Sequence, residues 1–208
     1  MKETTLNLTC SVVVSTHNRP EALDRCLAAI AAGTQSATDV IVVDSAPKIA
    51  SAKDIALRWG ATYLLEPQPG VSRARNLAAR VSTSDIIAHV DDDSVPEAGW
   101  LEPILEEFLD PQVALVGGRI LPQKEDECLI KAYSWFGAID LGQERRVIDN
   151  SSAHWFEIAN FYCFVMGSNI AVRRSVYEHW AGFDERLGSG ALITGGEESN
   201  VEFNMGTD

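Results

Sequence analysis

Apolar residues recur along this chain with two alternating periods. The segments TCSVVVS at 9–15, DVIVVDS at 39–45 and SDIIAHV at 84–90 are short aliphatic runs of the kind that form strands buried on both faces. ATYLLEP at 61–67 predicts a further strand. Between these runs the period changes. EALDRCLAAIAAG sets Leu23, Leu27 and Ile30 at helical spacing before Gly33, and AKDIALRWG predicts a helix closed by Gly60. GVSRARNLAARVST at 70–83 predicts a helix with Val71, Leu77 and Ala78 inward. Beyond residue 90, PEAGWLEPILEEFLD predicts a helix from near Pro96 with Leu101, Leu105 and Phe108 on one face, and QVALVGGRILP a returning strand. Residues 122–160 are rich in charge and aromatics, and loops and short helices are expected there. Strands alternating with helices predict an α/β fold, a mainly parallel sheet with helices on both faces.

Composition narrows the function. The 208 residues are 46% hydrophobic and 23% charged, the balance of one soluble globular domain, and no linker or repeat divides them. The formal charge of −13 argues against a nucleic-acid partner, which needs a basic surface. Cys10, Cys26, Cys128 and Cys163 are widely spaced and form no C-x-x-C pair, so they read as reduced thiols of a cytosolic protein. MKETTLNLTC has no apolar signal core, and no apolar run has the length of a membrane span. The aromatic stretch 154–167 reads as a buried segment, with peripheral contact at the cytoplasmic face of a membrane left open.

In open parallel sheets, ligands bind at the carboxyl ends of the strands. Polar clusters fall at such ends: Ser15, Thr16, His17 and Asn18 after the first strand, Asp44 and Ser45 after the second, and Asp91, Asp92 and Asp93 after the fourth. Adjacent carboxylates repel one another, and a shared cation resolves the conflict. Asp91 and Asp93, hard oxygen donors at alternate positions, suit Mg2+ or Mn2+ completed by water and ligand phosphates. The other reading is a solvated turn whose aspartates cap the next helix. Neither a P-loop nor a G-x-G-x-x-G dinucleotide fingerprint is present.

SVVVSTHNRPEALDRCL, VIVVDSA, GVSRARNLA, VDDDSVPEAGWL and GSNIAVRRSVYEHWAGFDERLG with GGEE follow one another in an order and spacing that resemble the family 2 glycosyltransferases. The resemblance spans residues 9–198 and implies the GT-A, or nucleotide-diphospho-sugar transferase, fold. It implies a metal-dependent, inverting transfer of a sugar from a nucleoside-diphosphate donor, UDP-sugar in the first instance, to a carbohydrate, lipid-linked or protein acceptor. Ser15, Thr16, His17 and Asn18 then lie beside the nucleotide, and Asp44 faces the base. Arg73 or Arg75 reaches the diphosphate or is a solvated helix residue. Asp91 and Asp93 match the metal-binding pair, with Asp93 the direct ligand of Mn2+ or Mg2+, while Asp92 contacts the ribose or orients the loop. Gly167, Ser168 and Asn169 form a small-residue turn near donor or acceptor. Phe183, Asp184 and Glu185 read as structural. Glu198 is expected to be the general base, with Glu197 orienting the acceptor or exchanging roles with it; first-turn helix acids are the alternative for both.

Family members usually continue beyond the acidic motif, whereas here the chain ends ten residues after Glu198, so the domain reads as short at its C-terminus. A protein partner that completes the site stays open. A non-catalytic nucleotide-sugar binding domain would keep the aspartates without the tail. A nucleotidyltransferase would need basic residues near the first strand, where Arg19 alone stands.

Overall fold

The computed structural model describes residues 8–33, 37–121 and 165–197. Strands β1 (Cys10–Thr16), β2 (Asp39–Ser45), β3 (Thr62–Glu66) and β4 (Ile86–Asp91) lie parallel in the order β3-β2-β1-β4, and the sheet continues through β6 (Asn169–Arg173) to β5 (Leu115–Gly117). β6 runs antiparallel to both β4 and β5. The mainly parallel α/β sheet expected from the apolar periods is thus present, with an antiparallel edge.

The central strands are covered on both faces, which is why they alternate so little between apolar and polar. Val12 and Val14 of β1, Val42 of β2 and Ala88 and Val90 of β4 face helices α1 (Pro20–Gly33), α2 (Ser51–Arg58) and α4 (Glu102–Glu107), meeting Leu23, Leu27, Ile30, Ala56, Leu101 and Phe108. The intervening Val13, Ile41, Val43 and Ile87 face α3 (Val71–Val81) through Ala74 and Ala78. Truncating Leu23, Leu27, Ile30, Ile41 or Ile87 to alanine in so close-packed a core costs about 2–5 kcal/mol.

Three sequence expectations are corrected in detail. α4 begins at Glu102 rather than near Pro96, because the preceding residues form a turn whose Gly99 has φ 76° and donates its N–H to the Gly33 carbonyl at the end of α1. On that helix Ile104 is buried and Leu105 only partly so. On α3, Val71 and Leu77 are half-buried while Arg75 and Asn76 are fully interior. Asn76 is satisfied there by exchanging two 2.9 Å hydrogen bonds with the backbone of Phe183. The irregular region expected at 122–160 lies outside the described residues, as does most of the aromatic stretch 154–167.

Cys10 and Cys26 are free, buried thiols whose burial pushes their pKa up to about 12, so neither is a nucleophile at neutral pH. Among the described residues no helix is long and apolar enough to cross a membrane.

Candidate functional site

Strand register brings the separate polar clusters to one rim. Thr16 pairs with Asp44 across β1 and β2, and Ser15 pairs with Asp91 across β1 and β4. The rim therefore carries a carboxylate on each side of β1.

Asp44 is 1% exposed. Its Oδ2 accepts a 3.0 Å hydrogen bond from the Tyr63 hydroxyl, whereas its Oδ1 has no hydrogen-bond partner among the described residues. Burial raises its pKa, opposed by the Tyr63 bond and by His17. A buried acceptor oxygen with nothing to accept favours a ligand that brings its own donor. His17 is exposed and its Nδ1 lies 2.5 Å from the Ser45 carbonyl, while Asn18 adopts φ 54° and accepts the Lys48 N–H at 2.7 Å. These contacts tie the loop after β1 to the loop after β2.

The three aspartates separate in role as they leave β4. Asp92 turns inward: it is fully buried, and its Oδ2 accepts the Thr16 hydroxyl at 2.7 Å. Burial raises its pKa against the lowering effects of Thr16 and Arg19. Asp93 points outward, with its side chain 58% exposed, and Asp91 is intermediate at 37%. Arg19 bridges the turn, 2.7 Å from Asp93 and 3.3 Å from Asp92. The turn thus offers hard oxygen donors and already holds a positive group between two of them, which fits a hard divalent cation. Among the described residues no group of three or more acidic, imidazole or thiol side chains is placed to hold a metal ion, so a cation at the turn would rest on Asp93 and Asp91 with water or ligand oxygens needed to complete it.

On the α3 side, Arg75 is 2% exposed and lies between Asp91, at 3.4 Å, and Glu197, at 3.6 Å. Its guanidinium sits 5.2 Å from the centre of the Phe183 ring. Gly167 lies directly against it: a Cβ at that position would be 2.0 Å from an Arg75 nitrogen. The glycine is needed here for space rather than for a positive φ, which it does not adopt. Arg75 is therefore no solvated helix residue; it joins the acid at the end of β4 to the acid of the GGEE segment. Glu197 is itself buried.

Arg73 is occupied by Glu185 at 2.5 Å, and Phe183 packs in the core beside Trp180, in keeping with a structural role for that segment. Asn169 begins β6 and donates to the Arg119 carbonyl at 3.0 Å; Ser168 is half-buried beside it. Glu198 lies outside the described residues. Two residues of the rim went unassigned in the sequence. Tyr63 is hidden because it reads as one more apolar strand residue, while Arg19 is signalled by being the cation nearest the end of β1. A third, His89, is buried on β4 edge-on to Phe183, and burial holds it neutral by lowering its pKa well below the ordinary value.

Comparison with known proteins identifies the family and agrees with the fold. The glycosyl transferase family 2 profile matches residues 11–180. The pre-mycofactocin glycosyltransferase of Mycobacterium tuberculosis is 32% identical over 185 residues, covering 86% of this chain and 36% of that protein. A mannosyltransferase from Pyrobaculum calidifontis, solved with GDP-Man and Mn2+, superposes with a TM-score of 0.63 at 19% identity, over 89% of this chain and 50% of its own. Glucosyl-3-phosphoglycerate synthase from Mycobacterium tuberculosis, solved with Mn2+, UDP-glucose and phosphoglyceric acid, gives 0.55 at 17% identity, over 81% and 57%. The chain thus spans from about a third to somewhat over half the length of these proteins. With the profile matched over most of its length and the GT-A sheet in place, the chain belongs to glycosyl transferase family 2.

Proposed function

We propose that this chain is the donor-binding domain of a metal-dependent glycosyltransferase that moves a sugar from a nucleoside diphosphate, UDP in the first instance, to an acceptor hydroxyl with inversion. The observation that carries the reading is the pair of carboxylates flanking β1: a buried Asp44 with an acceptor oxygen unpartnered among the described residues on one side, and an acidic turn that holds the Arg19 guanidinium on the other. Mn2+ accompanies GDP-Man and UDP-glucose in the two solved relatives, and the oxygen donors of Asp93 and Asp91 suit the same ion or Mg2+.

Asp44 orients the base by accepting an N–H on Oδ1 while Tyr63 fixes Oδ2. Ser15 and Thr16, beside it on β1, line the nucleotide side, and Thr16 also holds Asp92 so that the turn keeps its shape. The divalent cation, when bound, supplies Lewis-acid stabilisation of the departing diphosphate. Glu198 takes the proton from the attacking hydroxyl, and Glu197, anchored by Arg75, sets the position of that segment. In-line attack opposite the leaving group inverts the anomeric centre. The acceptor is a carbohydrate, lipid-linked or protein hydroxyl, and the buried thiols suit a cytosolic setting.

Calorimetry of UDP with the full chain tests the reading. Binding is expected in Mn2+ and not in excess EDTA; equal affinity in both would remove the metal role from the acidic turn. Release of UDP from UDP-sugars only when an acceptor is added distinguishes a transferase from a non-catalytic binding domain.

A further inference from the structure

Arg19 stands where a cation is needed, and it is a side chain able to leave. Its guanidinium bridges Asp93 at 2.7 Å and Asp92 at 3.3 Å. The two carboxylates differ in freedom: Asp92 is fully buried and held by Thr16 at 2.7 Å, whereas the Asp93 side chain is 58% exposed. The Arg19 side chain is 54% exposed, so moving it into water costs little packing. Its backbone, by contrast, is fixed, since its carbonyl accepts the Leu23 N–H at 3.0 Å in the first turn of α1 and Pro20 follows it. Only side-chain torsions need change for the guanidinium to depart.

The single positive charge of Arg19 reaches Asp93 but not Asp91; a divalent ion held by Asp93 and Asp91 would offset both, and binds hard oxygens more closely than a guanidinium can. We propose that Arg19 is an exchangeable internal counter-ion of the acidic turn: it pairs with Asp93, and with the buried Asp92, in the metal-free protein and gives up Asp93 when a divalent cation binds there. The inference rests on the metal-binding reading given above. It makes Arg19 a determinant of metal affinity by competition rather than by coordination, and it leaves a displaced guanidinium at the rim to which an anionic ligand binds.

The test is the affinity of the full chain for Mn2+ alone, by calorimetry and by the electron paramagnetic resonance signal of free Mn2+, for the unmodified protein, Arg19→Gln, Arg19→Lys and Asp93→Asn. Arg19→Gln removes the competitor and is expected to bind Mn2+ about two- to fivefold more tightly, the scale of the exposed Arg19–Asp93 ion pair. Arg19→Lys, with a compact ammonium unable to bridge both carboxylates, is expected to fall between, and it serves as the conservative variant if the Gln protein folds poorly. Asp93→Asn is expected to weaken binding. Unchanged or weaker Mn2+ affinity in Arg19→Gln, with Asp93→Asn still impaired, overturns the exchange and leaves the metal reading standing. Absence of Mn2+ binding in the unmodified chain and in Arg19→Gln overturns both.

Discussion

The two sides of β1 handle negative charge in opposite ways. On the β2 side, Asp44 is desolvated beside a phenol, with one oxygen unpartnered among the described residues. On the β4 side, Asp92 and Asp93 contact Arg19, while Asp91 and Glu197 contact Arg75. A desolvated carboxylate with a spare acceptor suits a neutral hydrogen-bond donor such as the N–H of a base. Carboxylates already compensated by guanidinium groups suit a place where charge is exchanged. In the proposed function this contrast is what lets so acidic a chain take an anionic ligand, whose charge-bearing part would meet the compensated side.

The largest expected effect concerns the proposed general base. Glu198→Gln keeps size and hydrogen bonding but removes the carboxylate that the proposed function makes the proton acceptor, and turnover is expected to fall by about 10² to 10⁴-fold with donor affinity unchanged. Unaltered turnover would move the base to Glu197, whose partner Arg75 would then have to release it.

Arg75→Met comes next. It strips a 2% exposed guanidinium from Glu197 and Asp91, and unfolding in denaturant is expected to show a loss of about 3 kcal/mol. The figure sits at the low end for a broken buried pair because Asp91 is 37% exposed and screened by water. Gly167→Ala probes the same packing from the other side and is expected to cost about 1–3 kcal/mol, since the added carbon would displace the buried guanidinium. A thermal midpoint unmoved by either variant would show that Arg75 is not the keystone of this side.

On the β2 side the expected signs reverse. Asp44→Asn should weaken UDP binding by about 10- to 100-fold, the scale of a hydrogen bond to a charged group, without loss of stability. The smallest effect is its pH dependence. The folded-state pKa of Asp44 is raised by burial, so the native protein holds this proton more firmly than the unfolded chain. Ionised Asp44 therefore costs stability above its folded pKa, and that cost is relieved as pH falls toward the unfolded value. Thermal midpoints of Asp44→Asn and the unmodified chain are expected to differ most at neutral pH, in favour of the variant, and to converge in acid. A gap that widens in acid would mean that Asp44 is stabilised as a carboxylate.

Much of the fold was legible because β1, β2 and β4 are buried on both faces, so the burial pattern is written as near-continuous apolar runs with helical periods between them. The helix α3 and its buried Ala78 were legible, but the rest of its inward face was misread for the converse reason. Its inward face carries Ser72, Arg75 and Asn76, polar residues satisfied by Leu187, Phe183, Asp91 and Glu197 from distant parts of the chain, and a periodicity of hydrophobics cannot register them. In DDD the motif set Asp92 apart from Asp91 and Asp93, but only the structure shows why: Thr16 draws Asp92 into the interior and leaves Asp93 at the surface.

Local pattern, then, specified the alternating elements, and the order of the motifs specified the family, because both depend on residues near in sequence. Which carboxylate is buried, which arginine compensates it, and why Gly167 has no room for a side chain depend on groups brought together across the sheet, such as Arg75 with Glu197. Charge compensation and desolvation act through space over a few ångströms, and the tertiary structure alone sets those distances.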